Sequence, residues 1–245
     1  MPRGISGTGT SKRRRSYAKR NTALRRLVRR KRRTKKKLTL TGFPKSKMVR
    51  LRYTFSANLN GGAGGVPAAL YVVANGMWDP EVAIGGHQPL GFDQWMTIYD
   101  HYTVVGSKCN VKIAPTVAEA TIINTNPGAF GIIVDDNDTL TYTSAEQILE
   151  SKQGGNAKFF GYGSNTGGQR TQQLTKSWSA KKFFGVKSIV GHADYKGSST
   201  ANPKEKAYYA IWAAGMGGSD PGTTLVTVTV DYIAVFSESK FLAQS

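Results

Sequence analysis

Positive charge is crowded into the first 37 residues, and a segment of that kind cannot build a core. Residues 1–37 hold 17 of the 34 Lys and Arg, and the first acidic residue anywhere is Asp79. The cations come in runs: Lys12, Arg13, Arg14 and Arg15, then Lys19 and Arg20, then Arg25 and Arg26. Arg29, Arg30, Lys31, Arg32 and Arg33 follow, and Lys35, Lys36 and Lys37 close the series. Such runs repel one another and bring almost no apolar area to bury, so 1–37 reads as a disordered arm. A short exception is Thr22–Arg33, where Leu24, Leu27 and Val28 stand at helical spacing and can form a turn or two once anions neutralise the arginines. From Leu38 onward, 17 cations face 15 acids, a net charge of only +2. The chain is thus a polycation, 1–37, joined to a nearly neutral body, 38–245, through a connector Leu38–Lys47 that contains Gly42 and Pro44.

The body is long enough for one substantial core. Its wealth of Val, Ile, Thr, Tyr, Phe and Gly suits strands and turns better than helices. Cys109 is the one cysteine, which excludes an internal disulfide framework. No apolar run reaches the length of about 18 residues that a membrane span needs. The cationic start is not followed by the apolar stretch of a signal peptide, so a soluble protein made in the cytosol is expected.

Along the body, strand-like segments follow one another. Val49–Leu59 alternates Val49, Leu51, Tyr53, Phe55 and Ala57 with Arg50, Arg52, Thr54 and Ser56, the period of a half-buried strand. Ala68–Asn75, Tyr102–Pro115, Ala129–Asp135, Ala157–Gly161 and Gln172–Ser179 read as further strands, and Lys206–Met216 and Thr223–Phe236 as the clearest ones. Between them, Phe92–His101 has helical spacing, and Ser144–Ser151 reads as a short helix capped by Ser144. Gly61–Pro67, Gly76–Gly91 and Gly161–Gly168 read as loops, and Phe183–Ala193 fits either strand or helix. About eight strands and no solenoid repeat predict an all-β chain: an eight-stranded jelly-roll β-sandwich with a disordered basic N-terminal arm.

The arm is the strongest chemical signal. Lysine and arginine runs neutralise phosphates by counterion release, without reading sequence, and this points to nucleic acid as partner. Tyr17 is the arm's one aromatic, so base stacking is a minor contribution. A nuclear-import role for the same residues is compatible with this, with the import machinery as a further partner. Arg50 and Arg52 share one face of the first strand, just after Lys45 and Lys47, and either form a solvated face or extend the arm's phosphate footprint. Searches for catalysis find nothing, and no enzyme activity or cofactor is expected. His87, His101 and His192 lack metal-ligand spacing, Cys109 reads as a small buried residue, and no phosphate-binding glycine loop is present. Asp135, Asp136 and Asp138 could offer carboxylates to a calcium ion, but Thr141 stands where an EF-hand needs glycine, so a turn is the better reading.

Three stretches carry a resemblance. They are the arm, the run Gly86–Trp95 leading into Tyr99–Val104 (P-x-G-F-D-Q-W … Y-x-x-Y-x-V), and the closing strand Val226–Phe236 followed by polar residues. Together they resemble capsid proteins of circovirus-like, circular single-stranded DNA viruses that encode a replication initiator. The resemblance implies a jelly roll of two four-stranded sheets and about sixty copies of the chain in the simplest icosahedral shell. It implies an arm inside the particle on the viral genome, single-stranded DNA by family, and residence in the virion and in the host nucleus and cytoplasm. The arm here is shorter than is typical and mixes Lys with Arg, the loops are rich in Gly, and small RNA-virus and satellite coats share the same plan. A ribosomal or chromatin protein with a basic tail is the main rival, although such proteins usually keep positive charge on the folded part as well. For a shell subunit, the aromatics Trp78, Phe92, Trp95, Tyr99 and Tyr102 are core residues first, and Trp78, Phe92, Trp95 and Tyr99 are also candidates for subunit contacts.

Overall fold

The computed structural model describes residues 43–83, 85–115, 127–151, 156–160 and 171–241. The basic arm 1–37, its expected helical turn and the loop at 161–168 lie outside the described residues. Contacts divide the chain after Phe43, and the second unit, Pro44–Ser245, contains the whole β structure.

Among the described residues, eight strands form two antiparallel sheets. They are β1 (Ser46–Asn60), β2 (Ala68–Val73), β3 (Tyr99–Pro115), β4 (Gly128–Asp135), β5 (Ala157–Phe160), β6 (Gln172–Ser179), β7 (Tyr208–Gly215) and β8 (Thr223–Ser239). One sheet has the order β1-β8-β3-β6, the other β2-β7-β4-β5. β1 pairs with β8, β2 with β7, β3 with β6 and β4 with β5. The chain is therefore a long antiparallel ribbon, folded at the β4–β5 end and rolled up so that its rungs fall alternately into the two sheets. That is the jelly roll expected from the sequence.

The two sheets differ in what covers them. Every residue of β7 is buried, on both faces. Its inward residues join the main core, while Ala210, Trp212 and Ala214 form a second cluster with Ala129, Ile133, Ala145 and Ile148. The last two belong to a short helix, α2 (Ala145–Glu150), whose cap Ser144 accepts a hydrogen bond from the Gln147 N–H, as its sequence suggests. Burial on both faces is why β7 reads as the unbroken run YYAIWAAG instead of alternating. Close packing there also fixes Gly131, where a Cβ would lie 2.6 Å from Trp212 Nε1. β8 instead alternates buried and less buried residues along almost its whole length, so the sheet β1-β8-β3-β6 has one face in the core and one open.

Two other helices sit at the margins: α1 (Phe92–Ile98) and α3 (Ala180–Phe183). α1 is shorter than the expected Phe92–His101. Tyr99 and His101 pair with Ser239 and Ser237 instead, and sheet pairing overrides the helical spacing of the aromatics. The segment Phe183–Ala193, open between two readings, closes α3 and then runs on without a strand. The long β2–α1 connection is held by hydroxyls from the core. Tyr232 donates to the Val73 carbonyl at 2.8 Å, Ser107 to that of Ala74 at 2.7 Å, and Tyr102 accepts from the Met77 N–H at 3.0 Å. No helix among the described residues is long and apolar enough to cross a membrane.

Candidate nucleic-acid interface

On the open sheet face, the strand registers align residues from β1, β8, β3 and β6 into transverse rows. One row is Arg52, Asp231, Lys108 and Ser177; the next is Thr54, Thr229, Asn110 and Thr175; a third is Ser56, Thr227, Lys112 and Gln173. Period-two alternation places these residues on the side opposite the core residues Tyr53, Val230, Cys109 and Val111. Hydroxyl pairs knit the middle: Thr54 and Thr229 Oγ1 lie 3.2 Å apart, and Ser56 Oγ and Thr227 Oγ1 3.0 Å apart. None of the residues in these rows is aromatic.

Arg50 and Arg52 stand on this face as their spacing predicts, but both are engaged by one carboxylate. Arg50 Nη2 donates to Asp231 Oδ2 at 2.7 Å, and Arg52 Nε to Oδ1 at 2.7 Å. The arginine side chains remain 63% and 64% exposed, whereas that of Asp231 is 14% exposed. The Arg52 hydrogen bond, with help from Arg50, holds the Asp231 carboxyl below its ordinary value against the opposing effect of burial. Lys45 precedes the strand, and Lys47 falls opposite Phe236, on the parity of Leu51 and Tyr53. Both are exposed, yet neither joins the arginine row. Lys108 and Lys112, which sequence reasoning passed over, are exposed on this face and in no ion pair among the described residues. Their signal was the alternation Lys108, Asn110, Lys112 within β3, the same pattern that marked Arg50 and Arg52.

The four aromatic candidates for subunit contacts separate into two pairs. Phe92 and Tyr99 are fully buried and have no surface to offer; this corrects their assignment to a contact surface. Phe92 packs edge-on against Tyr102 at 5.3 Å between ring centres, and the Tyr99 hydroxyl donates to the Pro44 carbonyl at 3.0 Å. Their spacing in sequence did not show that the sheet end would close over them. Trp95 is half-buried, stacked on Phe236 at 5.7 Å, and Trp78 is 37% exposed. Trp78, Val82 and Leu90 line a shallow groove of about 700 Å³ beside α1, which also contains Asp79 and Asp93. Leu90 is 91% exposed. The groove's loop is anchored to β1 by His87, whose ring lies against Tyr53 and whose nitrogens face the carbonyls of Thr54 at 3.1 Å and Gln88 at 2.9 Å.

Other candidate chemistry is dispersed. Among the described residues no group of three His, Cys, Asp or Glu is placed to hold a metal ion. Asp135 accepts from the Asp136 N–H at 2.9 Å, as in a local turn. His101 pairs with Glu238 at 2.9 Å, and Lys196 binds the same carboxylate. Cys109 is completely buried, and burial pushes its thiol well above the ordinary value, which makes it a packing residue.

No family model matches the chain, and no curated protein matches it. Solved structures similar to it include the mud crab tombus-like virus, at 12% identity and a TM-score of 0.40, covering 99% of this chain and 94% of that one. The BFDV capsid protein, in a decameric crystal structure, is similar at 13% identity and a TM-score of 0.39, covering 78% of this chain and 98% of that one. Turnip yellow mosaic virus is similar at 12% identity and a TM-score of 0.39, covering 82% and 99%. The strand order, and not these scores, carries the assignment of the fold.

Proposed function

We propose that this chain is the coat subunit of a small virus, which assembles with copies of itself into an icosahedral shell and packages nucleic acid through its basic N-terminal arm. The observation that carries this reading is the division of charge: 17 cations without an acid in residues 1–37, followed by a jelly-roll body of net charge +2. A ribosomal or chromatin protein gains little from a neutral body, and a lectin or a jelly-roll enzyme has no use for the arm. Roughly sixty arms would bring about a thousand positive charges, on the order of the phosphates in a small genome. The arm condenses without reading bases, because a cationic run with no folded reading element contacts phosphates.

Single-stranded DNA is the expected cargo, on the resemblance to circovirus-like coats, and nuclear import through the same basic runs accords with it. Trp78 and Trp95, with the groove around Val82 and Leu90, are the surfaces proposed for contacts between copies. Electron microscopy of the purified protein tests the shell: uniform particles support it, and monomers or small oligomers overturn it. Digestion of the extracted polymer with deoxyribonuclease and ribonuclease identifies the cargo. Deleting residues 1–37 is expected to leave the body folded and to abolish packaging, and a normal nucleic-acid content in that variant would sink the role of the arm.

A further inference from the structure

The structure points to a second, folded contact surface for nucleic acid: we propose that the open face of the β1-β8-β3-β6 sheet binds the phosphates of a single strand, with Lys108 and Lys112 as cations in no ion pair among the described residues and Asp231 restraining Arg50 and Arg52. The inference rests on the packaging reading and adds to it a surface, its residues and a brake.

Charge placement is the first argument. Arg50, Arg52, Lys108 and Lys112 against the single acid Asp231 give this face +3, more than the +2 of the whole body from Leu38 onward. The rest of the body therefore carries −1, and the body's net positive charge falls on the sheet face that is open among the described residues. The outer face of the other sheet is covered at its centre by α2 and the second apolar cluster, and its exposed margin carries the apolar Phe159, so among the described residues it has no comparable row of cations.

Shape and chemistry narrow the partner. In the three rows spanning Arg52, Lys108 and Lys112 the uncharged residues are Thr, Ser, Asn and Gln, which hydrogen-bond phosphate and sugar oxygens, while beside Arg50 the exposed Ile233 adds an apolar margin. No aromatic is present in these rows to stack bases, and no element among the described residues rises from them to enter a groove, so the face recognises backbone and not sequence. Lys108 and Lys112 lie four residues apart on β3, about 13 Å along the strand. On β1, two strands away, the arginines share one carboxylate and together contribute only a single net charge. Among the described residues, the cations of this face in no ion pair thus sit on β3 and not on β1.

The test uses the full chain, freed of nucleic acid, and an oligo(dT) probe. Binding is measured by fluorescence anisotropy over a range of salt, and lysine reactivity by acetylation and mass spectrometry with and without probe. Lys108 and Lys112 are expected to lose reactivity on adding probe, while Lys181 and Lys182 of α3 keep theirs. The double variant Lys108→Ala/Lys112→Ala should reduce the slope of log affinity against log salt by about 1.4, two phosphates at about 0.7 each. Asp231→Asn should raise affinity severalfold by releasing both arginines. Protection that is already complete without probe would mean contact between copies, and would overturn the proposal. If the probe binds and the arm lysines are protected while Lys108 and Lys112 stay reactive and the slope is unchanged, the sheet face is excluded and the arm's role stands. If the full chain does not bind the probe, the packaging reading falls as well.

Discussion

Tyr102 has no exposed surface, yet its hydroxyl accepts from the Met77 N–H and donates to Asn202 Oδ1 at 3.1 Å. Burial pushes that hydroxyl up to about 12, so it stays protonated and able to donate under ordinary conditions. Tyr102→Phe removes a partner from the Met77 N–H, the Trp78 N–H and Asn202 Oδ1. It should cost about 1–3 kcal/mol, read as a lower denaturant midpoint at unchanged slope. Asp231 responds differently, because its carboxyl is held below the ordinary value of 3.8. A depressed carboxyl contributes stability above its unfolded value and loses it as pH falls through the folded one. The parent should therefore be more stable than Asp231→Asn at pH 7, and the two denaturation midpoints should converge well below pH 3.8. At this scale the sequence was half legible. Period-two alternation exposed Arg50 and Arg52, but their partner lies 179 positions beyond Arg52, beyond the reach of any local pattern.

Elements were easier to read than their partners. The strand Gln172–Ser179 has the bounds its pattern suggests, and β1, β3, β7 and β8 differ from expectation only by a few terminal residues. Each is a long stretch with clear periodicity or clear turn residues at its ends. Where spacing misled, a competing interaction explains it: Tyr99 and His101 have helical neighbours in sequence and β8 as neighbour in space. The open face needed more than pattern, since only the placement of α2 decides which sheet is covered. The loop 76–91 presents a further prediction. Leu90 contributes almost nothing to the core, so Leu90→Asp should leave the thermal unfolding of the subunit unchanged. If the groove contacts another copy, the same substitution should prevent shells from forming, which sedimentation or electron microscopy would show. Shells of normal yield would exclude the groove as a contact.

Over the whole molecule, strands far apart in sequence are neighbours in the sheets. β8 lies between β1 and β3, so removing residues 223–239 takes the centre out of one sheet and exposes its whole core face. That truncation should abolish the cooperative unfolding transition, as seen by circular dichroism, and not merely lower its midpoint. Pairings of such sequence separation also place the fold among slow ones. They have a consequence for synthesis on the ribosome. At about 5–20 residues per second, the residues of β1 wait on the order of ten to thirty seconds before those of β8 are made. Until then Leu51, Tyr53 and Leu59 lack the β8 partners beside which they are buried in the finished fold. The basic face, for its part, cannot exist on a partly made chain: it is completed only when the last strand of the roll has arrived.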